Sequence, residues 1–441
     1  MARPTPKLLS LCSIFFAVQL APQAAHALQP LQQFVDGAKA HSPDALEVQA
    51  NLDAQQAQAD VALGRALPGL SVRGTYTRNQ YDVELPLSLL QPGAPDGGTI
   101  ILTPFDQLDA TASINVPLVD LSSFTRIAAA RTAARSAESQ AAAVQLQIEA
   151  RVVQGYYQLV ADLALVSASQ RALQVAQAGE KITHTRVQLG QSPALEEDRA
   201  RAEVERQVQQ LAGAELQVSV AAQALDSQSG IAPELGATVE LSDDLHEEPA
   251  LAEFQPPPEG TPAMAAAAQA RKAAEQQASA QRLALVPSLA GSFTEHASNY
   301  AGFSGHDASF QAVLALSWNI DYASFAAIRA QAALARAAAA RETRASLATR
   351  DAIHDSWAAV RAAIARARSA RVQEQVTRHA AALAQDRYQA GASTQLDLLQ
   401  AQRDAFSAEA ARIQAVADLA NARDQLRLAA GRDPLASGAA P

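Results

Sequence analysis

The sequence predicts a mainly α-helical chain that carries part of a membrane β-barrel, built as two copies of a helix-strand-strand-helix unit. One ground is internal duplication: moved by 201 residues, Arg186, Gln188, Gly190, Ser192 and Leu195 fall on Arg387, Gln389, Gly391, Ser393 and Leu396. Another is a period-two alternation of apolar and polar residues in four short stretches, two per copy. The third is the alanine-rich character of everything else. Aromatics are 5% of the 441 residues and alanine supplies about half of the 49% hydrophobic fraction, which suits close-packed helices better than a wide globular core.

Residues 1–27 hold Arg3 and Lys7, an apolar run from Leu8 to Leu20, and Ala25-His26-Ala27, the pattern of a secretory signal peptide and its cleavage site. Its removal would take two positive charges and shift the formal net charge from −10 to −12, which speaks against nucleic acid as a partner. The only cysteine, Cys12, lies in the apolar run behind Leu11, where a lipoprotein anchor would need a small residue. The mature chain is then expected to have no disulfide. No later segment has roughly 18 consecutive apolar residues, so a bilayer would have to be crossed by strands.

The first repeat, residues 28–230, opens with a helical pattern from Leu31 to Leu67, interrupted at Ser42-Pro43-Asp44 and stopped at Pro68-Gly69. Strands are expected at Leu70–Arg78 and Asp109–Leu118, with a Pro- and Gly-rich loop over residues 79–104. A helix of about 65 residues, Phe124 to Leu189, follows, roughly 100 Å at 1.5 Å per residue. Val152, Tyr156, Leu159, Leu163 and Val166 form a heptad seam on it, and Val153, Tyr157 and Val160 form a second seam beside the first, as in the stave of a barrel. The hairpin tip is at about 189–195, where Gly190 stops one helix and Ser192 is placed to cap the next.

Residues 231–260 carry eight acids, no Lys or Arg, and Pro256-Pro257-Pro258, the composition of a linker or an equatorial belt outside the helices. The second repeat, residues 261–432, restates the first. Thr261-Pro262 and Val286-Pro287 match Ser42-Pro43 and Leu67-Pro68 at an offset of 219, strands are expected at Ser288–Thr294 and Asp307–Ile320, and Ile353, Trp357, Val360 and Ile364 repeat the seam. Its long helix runs from Phe325 to Tyr388, with the tip at about 390–396 and Gly391 and Ser393 in the same roles. The strand hairpin of the first copy is 18 residues longer, and residues 433–441 are expected to be a disordered tail. Tyr76, Ile114, Phe293, Phe310, Leu314 and Trp318 are expected to face lipid.

No catalytic constellation is present: there is no nucleophile elbow, no Walker loop and no dinucleotide fingerprint, and the eight histidines make no ligand spacing. No enzyme, metal site or cofactor is expected. Four strands cannot close a barrel whose smallest membrane forms have about eight, so the chain must pool strands with copies of itself.

The duplicated order, the Ser42-Pro43-Asp44 and Thr261-Pro262 starts, the Leu67-Pro68-Gly69-Leu70 and Val286-Pro287-Ser288-Leu289 junctions, Tyr156 and Trp357, and the two Gly-x-Ser tips together resemble the outer-membrane efflux proteins of the TolC type. The resemblance covers nearly all of the mature chain. It implies a homotrimer with a 12-stranded barrel in outer-membrane lipid and a 12-helix periplasmic tunnel, the exit duct of a tripartite efflux or type I secretion system. A periplasmic adaptor (membrane fusion) protein and an inner-membrane pump would be its partners. The tips, Arg186, Gly190, Ser192, Arg387, Gly391 and Ser393, would dock the adaptor. Leu396, Asp397, Gln400 and Glu196 would form the pore gate; Gln400 stands where some members have an aspartate, and Glu196 is the copy-one counterpart of Asp397. Three clustered acids would raise one another's pKa. The other reading of Asp397 and Glu196 is that they complement the positive ends of their helices. A periplasmic adaptor or coiled-coil scaffold also uses long helical hairpins, but it would not explain duplicated strand pairs.

Overall fold

In a computed structural model, residues 28–87, 99–236, 242–256 and 260–432 are described; the expected signal peptide and tail lie outside these residues. The first repeat runs α1 (Leu31–His41), α2 (Pro43–Gly64), β1 (Gly69–Arg78), β2 (Val83–Pro86), β3 (Thr99–Thr103), β4 (Asp106–Val119), α3 (Leu121–Gln188) and α4 (Ala194–Ser229). The second runs α5 (Pro262–Leu283), β5 (Ser288–Ser298), β6 (Ala308–Ser317), α6 (Tyr322–Gln389) and α7 (Gln395–Ala429).

The helix starts follow from local chemistry. The Ser42 hydroxyl accepts from Ala45 N at 3.2 Å and Pro43 supplies a pre-set φ at the first helical position. The two long helices share one device, Asp120 accepting from Ser123 N at 3.0 Å and Asp321 accepting from Ser324 N at 2.7 Å. These caps set α3 and α6 at 68 residues each, roughly 100 Å, starting three residues before the expected Phe124 and Phe325.

The strands β1-β4-β5-β6 make one antiparallel sheet in that order. Its register puts Leu70 opposite Ile114, Ile114 opposite Phe293 and Phe293 opposite Ala312, so residues of one parity share a face. That face holds Val72, Tyr76, Ile114, Phe293, Phe310 and Leu314, all exposed in the single chain, with the Phe293 and Phe310 rings stacked at 5.8 Å. Glu295, between Ala112 and Phe310, is the carboxylate in its midst. The opposite face is polar and internally bonded: Ser71 and Ser113 hydroxyls lie 2.7 Å apart, and His296 Nε2 is 3.3 Å from Asp109.

Three expectations are corrected here. The loop over residues 79–104 contains the hairpin β2–β3. The last strand spans Ala308–Ser317 and not Asp307–Ile320, so Trp318 lies just past it, where its ring is exposed and its indole N–H donates to Leu285 O at 2.9 Å. Conversely β5 continues four residues beyond Thr294. A bulge in β4 between Pro117 and Val119 absorbs one residue, which is where proline, lacking an N–H, is tolerated in a sheet.

Each repeat has its own buried cluster, and a smaller one, Ala161 and Ala168 with Ile413 and Ala417, joins the two. Val152, Val153, Leu159 and Val160 of α3 are fully buried or nearly so, so both heptad seams are occupied. Phe34 of α1, wholly buried, lies 5.9 Å from the Tyr156 ring and is worth about 1.5–3 kcal/mol by burial alone. In the second repeat the acidic segment takes the place of α1: Phe254 and Leu245 pack with Ile353, Val360 and Leu419, and Trp357 Nε1 donates to Pro249 O at 3.0 Å. Its acids hold a buried cation, since Arg423 of α7 reaches Glu248 at 2.6 Å and Asp243 at 3.2 Å. Residues 242–256 are therefore packed as a belt.

Candidate functional site at the hairpin tips

Each tip is a Schellman turn, the form a helix takes when a left-handed residue satisfies its last carbonyls. Gly190 has φ +68° and Gly391 has φ +72°; Gln191 N donates to Arg186 O, and Ala392 N to Arg387 O, both at 2.8 Å. A Cβ at either glycine would meet no atom within 4 Å, so backbone conformation and not crowding selects glycine.

The serines do not act as expected. The helix after the tip starts one residue later than a Ser cap requires: Pro193 is the N-cap of α4 with no side-chain bond, and Thr394 is the N-cap of α7. Thr394 and Asp397 form a reciprocal capping box: Asp397 N donates to Thr394 Oγ1 at 3.2 Å and Thr394 N donates to Asp397 Oδ2 at 3.1 Å. Ser393 Oγ is left buried and without a partner, and Ser192 is half-buried.

Among the expected gate residues, Leu396, Asp397 and Gln400 are exposed on one face of the first turns of α7, and Gln400 Nε2 donates to Asp404 at 2.9 Å. Leu398 and Leu399 point the other way and are buried. Within the single chain Asp397 sits below the usual carboxylate range because the Thr394 hydroxyl and N–H both donate to it. Glu196 is half-buried in the first turn of α4, and Pro193 denies it the reciprocal bond of its counterpart.

Arg186 joins the two tips. Its Nη1 donates to Tyr388 O at 3.3 Å and its Nη2 to Gln389 O at 3.2 Å, while the guanidinium lies 4.6 Å from the centre of the Tyr388 ring. Arg387, its counterpart, is exposed. Behind the tips a cavity of about 380 Å³ opens between the four long helices, lined by Ile182, Thr183, Gln395, Leu398 and Tyr388, with Glu203 at its wall.

Glu203 is a site residue that sequence reasoning missed. Buried on α4, it accepts from Arg403 Nε at 3.1 Å and Nη2 at 2.8 Å, from Gln207 Nε2 at 2.9 Å, and from Arg206. Burial pushes its pKa up, but the Gln207, Arg403 and Arg206 hydrogen bonds together hold it below the usual glutamate range. The signal that could have found it is an acid in α4 and a base in α7 at nearly the same height above the tips.

Two helical hairpins, whose longer arms run roughly 100 Å, are thus joined to a sheet with one apolar and one polar face. The outer membrane efflux protein description matches residues 34–230 and 259–432. The chain belongs to the outer membrane efflux protein family. Its fold is that of solved outer-membrane channels. A membrane protein from Pseudomonas aeruginosa superposes with a TM-score of 0.76 at 20% identity, covering 91% of this chain and 90% of that one. The outer membrane protein VceC of Vibrio cholerae gives 0.73 at 20%, covering 91% and 96%. The CmeC outer membrane channel of Campylobacter jejuni gives 0.75 at 15%, covering 97% and 94%. No curated protein sequence matches. As a member of the efflux-protein family the chain is an outer-membrane channel protein with a large periplasmic helical portion, which sets aside the adaptor or scaffold reading.

Proposed function

We propose that three copies of this chain close a 12-stranded barrel in the outer membrane, continued by a 12-helix tunnel, and that the assembly is the exit duct of a tripartite pump. The observation that carries this is the sheet: four strands with an apolar and a polar face leave β1 and β6 with unpaired edges, which only further strands of the same kind can complete. The apolar face then meets lipid and the polar face lines the lumen. The tips, about 100 Å away along α3 and α6, meet a periplasmic adaptor, which links the duct to an inner-membrane pump. Leu396, Asp397 and Gln400 near the tips narrow the entrance, with Glu196 beside them. Among the described residues the wall of Ala, Gln, Arg and acids carries no tailored substrate pocket, so the pump selects what is exported.

The test is cysteine placed singly at Phe310 and Gln311, which have opposite parity on β6. Membrane-restricted reagents should label the first and aqueous reagents the second in outer-membrane vesicles, with native mass spectrometry giving a trimer. Equal aqueous labelling would exclude the barrel assignment.

A further inference from the structure

The two repeats are equivalent residue by residue along their helices. Gly190 and Gly391 have φ +68° and +72°, and Gly230 and Gly431, at the far ends of α4 and α7, have +69° and +72°. Inward positions agree as well: Leu159 and Val360 are 0% exposed, and Leu225 and Leu426 are 0% and 1% exposed.

One face breaks this agreement. In the first repeat α3 packs against α7 in addition to its own return helix α4. There Val153, Val160, Ala161 and Ala168 are buried. Their counterparts on α6, His354, Arg361, Ala362 and Ser369, are all exposed. The same holds for the other wall of the seam, because Ile413 and Ala417 of α7 are buried against Ala161 and Ala168, whereas Ala212 and Leu216 of α4 are bare. The bared surfaces of α4 and α6 are thus the two halves of a seam that the chain completes once internally and cannot complete a second time.

The residues in this second seam differ in kind. At the solvent-facing rim of the internal seam Arg171 Nη2 lies 2.6 Å from Glu409. The counterparts, 201 residues away, are Val372 and Val208, 57% and 44% exposed. Charge has been removed from both sides of the same contact together. The side-chain volumes are also exchanged: Ile413 above Ala417 in the internal seam becomes Ala212 above Leu216 in the other. At the tips, Arg186 grips the Tyr388 and Gln389 carbonyls, so its exposed counterpart Arg387 is left to reach the equivalent carbonyls, those of Val187 and Gln188, on another copy.

We propose that α6 of one copy packs against α4 of the next through a seam whose part towards the tips is apolar at Val372 and Val208, with Leu216 over Ala362 and Ser369 and with Arg387 capping the neighbour's first tip. It rests on the trimer reading given above and goes further, by naming the register and chemistry of the contact. At the level of Val372 and Val208 the contact between copies is apolar where the internal seam carries an ion pair, so an unpaired charge placed there is costly.

The test uses the full chain with Cys12→Ser, so that no other thiol is present. Val208→Cys with Val372→Cys should give covalent dimers and trimers with a short thiol-specific bifunctional reagent, and neither single variant should. Arg171→Cys with Glu409→Cys, the internal equivalent, should link within one chain, showing that the reagent spans this seam. In a second arm, Val208→Glu should weaken trimer association by roughly tenfold or more, and adding Val372→Arg should restore it by recreating the pair of the internal seam. Trimers by native mass spectrometry with no linkage in the Val208/Val372 pair and no rescue by the second charge would overturn the seam while leaving the duct standing. A monomer throughout would overturn both.

Discussion

The guanidinium of Arg186, in the first hairpin, lies 4.6 Å from the centre of the Tyr388 ring in the second and donates to the Tyr388 carbonyl. The contact closes the carbonyl end of α6 with a cation, where the helix dipole is negative, and binds the two tips into one unit. Arg186→Ala should therefore loosen the entrance at a cost of about 1–2 kcal/mol and raise the resting conductance of the purified protein in a planar bilayer. Arg186→Lys, which keeps charge but cannot fork across two carbonyls, should fall between.

Glu203 gives the tips a pH dependence. Its pKa in the folded chain is below that of an unfolded glutamate, so its contribution is complete above the unfolded value of about 4.3 and is lost as pH falls through the folded one. Thermal unfolding followed from pH 7 to pH 3 should show a destabilisation that is smaller in Glu203→Gln, the remainder coming from other lowered carboxylates such as Asp120, Asp321 and Asp397. At pH 7, Glu203→Gln should cost about 1–3 kcal/mol, because Arg403 and Arg206 lose a shared ionised acceptor.

Asp397 has two roles that can be separated by substitution. Thr394→Ala removes the capping hydroxyl but keeps the carboxylate, and should lower stability by about 1 kcal/mol with little effect on cation block. Asp397→Asn keeps an acceptor for the Thr394 N–H and removes the charge. If acids gather at the gate, Asp397→Asn should weaken divalent-cation block with only a small drop in melting temperature, and Asp397→Asn with Glu196→Gln should weaken it further. Unchanged block in both would leave closure to Leu396 and helix packing.

Gly190→Ala and Gly391→Ala test the turns. Nothing crowds either position, so the penalty is that of holding a side-chain residue at positive φ, about 1 kcal/mol each. Differential scanning calorimetry should show small, additive decreases with trimers intact, and a loss of export larger than this stability change implies would point to adaptor docking at the tips.

The sequence by itself determined the architecture of this chain because the pattern is local and stated twice. Alternation in Leu70–Arg78 and Ser288–Thr294, the heptads around Tyr156 and Trp357, and the glycines at 190 and 391 each specify a backbone state from nearby residues alone, and duplication removes the ambiguity of any single copy. What only the tertiary structure decided are contacts between segments far apart in the chain. Which residue caps α7 depended on a one-residue shift of the helix start, within the uncertainty of any pattern, so Thr394 and not Ser393 does so. Glu203 became a buried, pair-bonded acid because α7 brings Arg403 to it from 200 residues away, and the acidic segment became a belt because Arg423 receives its carboxylates. Composition marks such acids as solvated. Desolvation and partnering, which appear only when helices pack, turn them into structural and functional groups.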